Sequence, residues 1–488
     1  MARRLLAAAL LALCLLLPSA AMADTRALLV ACSDFLTQPE LGSAVSGNLQ
    51  MIASALVGAS PRLAALSVED GTIGSREALA SAVSSAFDGA DESDLSLLYL
   101  CTHGVISSSD DGGCYLLLGD GEQETLLGAE DLEAMLASVP GEKLLVIDAC
   151  HSGALLGRTP GAISDLSGDP SIHILTSASD QESAWYYDSE ALLSGAQSYF
   201  ASAFASGLGL YESPEADANG DGQVSLAEMH RYLTIAVPSS SAQLLSRNAD
   251  SLILPSASRP MLSRPLTGFS YGASLILTDD PVFEFSFTAE RETAVQYRLV
   301  EYTAGGWDWA GAQIFLDGGD GGSGLITPGR KHRALTLDAV AANDSGYLML
   351  QVFSLTEGRL QLCSERLIAV QPAQCGAGLT LQASAKPLPT GEILLCVDTP
   401  VPAEITVSIR DGEGHLIRRL CASSLTRPSA DGQTKLYWDG LDSAGHPIDP
   451  AAHPGLTATA EAIIGGERRK AVCPIALSPQ APAPQEGV

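Results

Sequence analysis

Residues 144–153, LLVIDACHSG, decide how the rest of the chain is read. The first four, Leu144, Leu145, Val146 and Ile147, are apolar without alternation, the pattern of a strand buried on both faces of a parallel sheet. Asp148, Ala149, Cys150, His151, Ser152 and Gly153 follow at once, so a thiol stands at the carboxyl end of that strand. In open α/β sheets, ligands are held outside this edge. A second unbroken apolar run, residues 95–101, ends in Thr102, His103 and Gly104. The 47 positions from His103 to Cys150 leave room for a hairpin, a helix and a return strand. Two neighbouring strands would then set an imidazole beside a thiol, the pairing a cysteine nucleophile needs.

Working outward, residues 27–32 read as a first strand, and 47–57 and 75–87 as helices, the second with Ser75 as N-cap. A short strand at 114–118, a turn over 119–123 and a helix from 130 to 138 lead into the Cys150 strand. Residues 171–177, SIHILTS, form another strand, and 198–210 a helix. Strands alternating with helices predict an α/β three-layer sandwich.

With HG after one strand and DACHSG after a later one, the chain resembles the caspase-like superfamily of cysteine peptidases. Within it the likeness is to the metacaspase-like and bacterial clostripain-like branch, not to the QACRG form of true caspases. The resemblance spans roughly residues 25–255 and little beyond. His103 would deprotonate Cys150 and later protonate the leaving amine. The backbone N–H groups of Gly104 and Cys150 are suited to an oxyanion, because glycine permits close approach. His151 reads as structural. Cys101, His103, Cys150 and His151 include zinc-ligand types, but their spacing is not that of a zinc site. The resemblance further implies that Asp148 and Asp180 (in TSASDQES) line a pocket for Arg or Lys. A buried carboxylate needs a cationic partner, and a substrate side chain would supply it. The competing role for Asp148 is to cap backbone N–H groups under the loop.

Residues 217–228, DANGDGQVSLAE, form the other sharp motif. Asp217, Asn219, Asp221, Gln223, Ser225 and Glu228 stand at positions 1, 3, 5, 7, 9 and 12 of an EF-hand-type loop, with Gly222 at its sharp turn. A single such loop outside the cell predicts structural Ca2+. Glycines and Pro214 upstream break the helix that would lead into it.

At the start, Arg3 and Arg4 precede an apolar run over residues 5–18, and Ala21, Met22 and Ala23 give an A-x-A cleavage site. Residues 1–23 thus read as a secretory signal peptide. Leu13 before Cys14 is too large for a lipoprotein site. Nothing later offers the roughly eighteen apolar residues of a membrane span. The expectation is a secreted or cell-surface associated bacterial protein. The net charge of −30 argues against nucleic acid or an anionic membrane as partner. Nine cysteines remain after such cleavage, so at least one stays unpaired within the chain; no disulfide is assigned.

Near residues 255–264 the helical pattern ends. Alternating strands predict a β-sandwich over 265–374, with Trp307 and Trp309 as edge or core packing and residues 330–333, RKHR, as a solvated basic turn open to cleavage. Residues 376–473 resemble the immunoglobulin-like domain of flagellar hook-capping proteins. Residues 474–488 form a Pro/Ala-rich tail. The first reading is a secreted cysteine endopeptidase acting on protein or peptide substrates through a thioacyl-enzyme. The alternatives are a catalytically inactive caspase-like scaffold and a surface protein whose β domains bind a partner.

Overall fold

The computed structural model describes residues 24–59, 63–106, 113–158, 169–186, 197–257, 260, 262–277, 281–337, 345–356, 359–372, 378–429 and 431–477. The signal-peptide reading at 1–23 and most of the tail, 478–488, lie outside these residues, as do Cys14 and Cys375.

The amino-terminal part is built on strands β1 (Thr25–Ala31), β2 (Leu63–Asp70), β3 (Leu95–Cys101), β4 (His103–Ile106), β5 (Cys114–Gly119), β6 (Glu124–Leu127), β7 (Glu142–Asp148), β8 (Ile172–Thr176), β9 (Val224–Ser225) and β10 (Gln243–Leu245). Six of them form one sheet in the order β10-β8-β7-β3-β1-β2. Its neighbours are parallel except β10, which runs antiparallel to β8. From β1 the chain steps first to β2 on one side and then to β3 on the other, so the order reverses beside β3. The carboxyl ends there form the crevice expected to hold a ligand.

Five helices follow in chain order: α1 (Ser43–Gly58), α2 (Arg76–Ala86), α3 (Ala129–Leu136), α4 (Tyr199–Gly207) and α5 (Leu226–Ala236). The central strands are apolar on both faces because both are covered. Leu29, Leu97, Tyr99 and Val146 join α1, α4 and α5 in one core, while Val30, Leu98, Leu100 and Ile147 join α2 and α3 in another. Ser75 caps α2 as its type suggests, its Oγ accepting from Ala78 N at 3.2 Å. Strands β4, β5 and β6 make a separate antiparallel sheet above the crevice. Among the described residues no helix is long and apolar enough to cross a membrane.

The remainder is β structure. Strands Leu266–Tyr271, Val282–Ala289 and Gly329–Thr336 face a larger sheet that includes Ala294–Thr303, Tyr347–Thr356 and Arg359–Gln371, around a core rich in Phe283, Phe285 and Phe287. The last unit pairs a three-stranded with a four-stranded sheet around Trp438. Two sequence expectations are corrected. Residues 330–333 are no solvated turn: they lie in a strand paired with Val282–Ala289, with Lys331 on Asp320 and Arg333 on Asp317 at 2.6 Å each. The tail does not begin at Pro474, which ends strand Glu467–Pro474 and is followed by the buried Ile475.

Both β units are tied to the sheet domain. Arg158 donates to Glu392 through Nε at 2.7 Å and Nη2 at 2.8 Å, and its guanidinium stacks 3.8 Å from the Tyr437 ring centre. Half-buried Arg427 donates to the carbonyls of Thr234, Val237 and Ser240 at the end of α5.

Candidate active site

Strand register brings the two motifs together. Cys101 of β3 pairs with Asp148 of β7, so His103 and Cys150 each stand two residues past one rung of the ladder. Thr102 N donates to Asp148 O at 3.3 Å, carrying the pairing one step further. Gly104 then runs so close to the Cys150 turn that a Cβ there would lie 1.7 Å from the Cys150 carbonyl oxygen. No other residue type fits at 104 without moving that backbone.

Within this frame the imidazole and the thiol have other partners. His103 Nε2 lies 2.8 Å from Pro39 O, and its ring packs on Phe35 at 4.8 Å. Cys150 Sγ lies 3.8 Å from the Ala184 carbonyl. Burial, assisted by the charge of Asp148, holds the Cys150 thiol above its usual range, so it is protonated at rest. His151 adopts a left-handed backbone, φ 58°, and its Nδ1 lies 3.2 Å from Asp180 O, pinning the turn beneath the thiol. The eight described cysteines are unpaired.

Asp148 is fully buried. Its Oδ2 accepts from Ser198 Oγ at 2.5 Å and Tyr99 OH at 3.0 Å, while Oδ1 is buried with no hydrogen-bond partner. Burial raises its pKa, and the hydroxyls of Ser198 and Tyr99 pull it back down. The capping role weighed for this side chain is not seen among these bonds. Asn48 ties the same wall together, accepting from Ser198 N at 2.8 Å and donating to Cys101 Sγ at 3.5 Å. Tyr186 OH lies 3.2 Å from that sulfur. Of the residues around Asp148, only Cys101 stands out in the sequence. A tyrosine inside the otherwise apolar β3 and a serine opening α4 were the available signals. Their convergence spans about 100 positions and leaves no local pattern.

Asp180 stands elsewhere. Its Oδ2 accepts from Gln181 Nε2 at 3.2 Å, and its charge is felt at Lys435 and Tyr437 of the last β unit. It shares no hydrogen-bond partner with Asp148. The segment that carries it nonetheless reaches the site, since Ala184 and Tyr186 touch Cys150 and Cys101. Trp309 of the first β unit meets Trp185 in that segment at a tilt, ring centres 5.5 Å apart, and stacks on Tyr199 at 5.9 Å, so it packs across the domain seam.

The 217–228 loop opens α5, and no helix leads directly into it. Asp217 accepts from Gly220 N at 2.8 Å and Gly222 N at 2.9 Å. Asp221 accepts from Gln223 N at 2.8 Å. Glu228 Oε1 accepts from Asn219 N at 3.2 Å, and Oε2 accepts from Ser225 N and Oγ at 3.0 and 2.9 Å, a capping box on α5. Among the described residues no three His, Cys, Asp or Glu side chains converge as a metal cluster. The donor set consists of oxygen alone, which suits a hard cation such as calcium.

The CHAT-domain family matches residues 3–203. No curated protein matches. Solved structures that resemble the chain include caspase-1 from Spodoptera frugiperda, at 13% identity over 50% of this chain and 93% of that one, with a TM-score of 0.31. A Geobacter sulfurreducens protein gives 16% identity over 46% and 92%, with a TM-score of 0.31. The YadV chaperone gives 9% over 43% and 100%, with a TM-score of 0.26.

Proposed function

We propose that the chain is a secreted cysteine endopeptidase of caspase-like three-layer architecture with two appended β-sandwich units, the second immunoglobulin-like, cleaving after Arg or Lys. The observation that carries the reading is the contact of Gly104 with Cys150, which lays the His103 turn directly on the nucleophile turn. The thiol is protonated at rest, so the chemistry begins with a proton transfer. His103 leaves Pro39, takes the Cys150 proton, and Sγ attacks the scissile carbonyl. The N–H groups of Gly104 and Cys150 stabilise the oxyanion. His103 returns the proton to the leaving amine, and water, deprotonated by the same ring, releases the acid from the thioacyl-enzyme. A substrate guanidinium or ammonium meets the free Oδ1 of Asp148. Asp180 contributes at most at longer range. Calcium, held by Asp217, Asn219, Asp221, Gln223, Ser225 and Glu228, would brace the start of α5 and supply no chemistry.

A second reading, the inactive scaffold or surface binding protein, is favoured by one observation: His103 Nε2 lies 2.8 Å from Pro39 O, the only hydrogen-bond partner of its ring among the described residues. Mature protein incubated with fluorogenic peptides ending in Arg, Lys, Asp and Leu separates the two. Cleavage that disappears in Cys150→Ala and in His103→Ala, with folds intact, is expected. A folded wild type inert to every peptide would leave the scaffold reading standing.

A further inference from the structure

Away from Cys150, a cavity of about 340 Å³ opens at the seam between the sheet domain and the first β unit, bounded by α4, α5 and strands Leu266–Tyr271 and Arg359–Gln371. Its walls are aromatic, with Tyr199, Tyr232, Phe269 and Tyr271 all lining it. Glu365 lines it too, only 8% exposed. One carboxyl oxygen accepts from Gln351 Nε2 at 2.8 Å. Among the described residues the other oxygen has no hydrogen bond and no cation pairs with this carboxyl. Arg264 lines the cavity but is committed to Ser206 Oγ, Cys363 O, the Tyr211 face and Glu215, 3.8 Å away. Arg366 lines it too, donating to Ser274 Oγ with its guanidinium 5.4 Å from the Tyr271 ring centre. Glu212 and Glu215 also line the cavity, set against Arg264 and Arg366; Glu212 accepts from Gly268 N and Glu215 from Tyr232 OH.

A buried carboxyl among aromatic rings with no cation of its own is an incomplete arrangement. Ionised, it lacks a counter-ion; protonated, it is merely tolerated. We propose that this cavity binds a small organic cation, an alkylammonium or guanidinium group, with Glu365 as its counter-ion and the surrounding rings as its cage. Burial pushes the Glu365 carboxyl up to about 8, so near neutral pH an arriving cation displaces a proton from it. The site is linked to the crevice through Gln351, whose Nε2 also donates to Tyr199 OH at 2.9 Å. Tyr199 follows Ser198, the donor to Asp148. The proposal does not rest on peptidase activity.

The test uses the full chain carrying Cys150→Ala and Asp148→Asn, so that neither turnover nor the Asp148 site contributes. Calorimetry at pH 7 compares n-butylammonium, butylguanidinium and the neutral n-butanol, with N-acetyl-lysine methylamide to separate free amines from basic peptide side chains. The cations should bind with a heat that depends on the ionisation enthalpy of the buffer, and butanol should not bind. Adding Glu365→Gln, which copies the protonated carboxyl, should weaken the cations by about tenfold or more. Phe269→Ala, which leaves the carboxyl in place, should weaken them a few-fold, by about the worth of one cation–π contact. No heat from either cation overturns the proposal, as does affinity unchanged by Glu365→Gln. Should that variant melt early, unchanged affinity in Phe269→Ala overturns it instead.

Discussion

Asp148 and Asp180 both stand near carboxyl ends of the sheet, yet their surroundings differ in kind. Asp148 is sealed among hydroxyls, with one oxygen satisfied twice and the other not at all. Asp180 lies at the seam with the last β unit, where Gln181 and Lys435 are its company. The first is costly to bury and has no cation of its own among the described residues; the second is partly open to solvent. Position on a strand tip is therefore not enough to make an acid a specificity residue. What distinguishes the two is whether the fold leaves the charge unanswered.

The largest effect should follow from removing that unanswered charge. Asp148→Asn keeps the shape and should lower kcat/KM for Arg and Lys peptides by at least about 100-fold, the usual scale for one member of a buried charged pair. Cys150 should still be alkylated by a small reagent. Peptides ending in Leu cleaved as well as those ending in Arg, in the wild type, would break the comparison at its root.

Ser198→Ala sharpens the comparison further, because it leaves the carboxyl but takes away its shortest donor. The cost should be about tenfold in kcat/KM, the scale of one hydrogen bond to a charged group. There is also a direction in pH. Ser198 holds the Asp148 pKa down against burial, so its loss raises that pKa, and activity on basic peptides should fall away at a higher pH on the acid limb than in the wild type. A pH profile that only drops in height, without moving its acid limb, would assign Ser198 to capping α4 alone, where its Oγ also accepts from Ala201 N. Asp180→Asn should change kcat/KM a few-fold at most, since solvent already screens it. An effect there as large as at Asp148 would restore the paired pocket that the sequence suggested.

How much of this could be read in the sequence depended on the range over which each feature is encoded. The Cys150 and His103 strands were legible because a strand buried on both faces is apolar throughout, and its tip is marked by an abrupt change to small and polar residues. Strand β2 left no such mark. It is an edge strand, half-exposed along its length, and reads as neither a clean alternation nor a buried run. Residues 330–333 looked like a turn because four polar residues in a row carry no strand period. Their pairing depends on Asp317 and Asp320, which lie outside the run. Asp148 was found from its motif, but the donors that set its state, Tyr99 and Ser198, come from other strands and helices. Motifs reveal which groups are present, whereas the network around them is a property of the tertiary fold.

A third carboxylate gives the smallest expected effect. Glu228 is nearly as buried as Asp148, but both its oxygens are occupied, by Asn219 N and by Ser225 N and Oγ. If an unanswered charge is what makes a buried acid functional, Glu228 without calcium should behave as a helix cap and no more. Glu228→Gln in chelator should then cost about 1 kcal/mol, the worth of a capping interaction. Millimolar calcium should raise the melting temperature of the wild type, by as much as about 2.7 kcal/mol of added stability at a hundredfold excess over Kd, and should raise that of the variant far less. Peptide cleavage under the same conditions should move little, because the loop supplies no group to the crevice. A wild type whose melting temperature ignores calcium would leave Glu228 as a cap alone and remove the ion from the account. A fall in cleavage as large as that of Asp148→Asn would mean instead that satisfied acids far from the thiol weigh as much as the unanswered one beside it, and the comparison would fail.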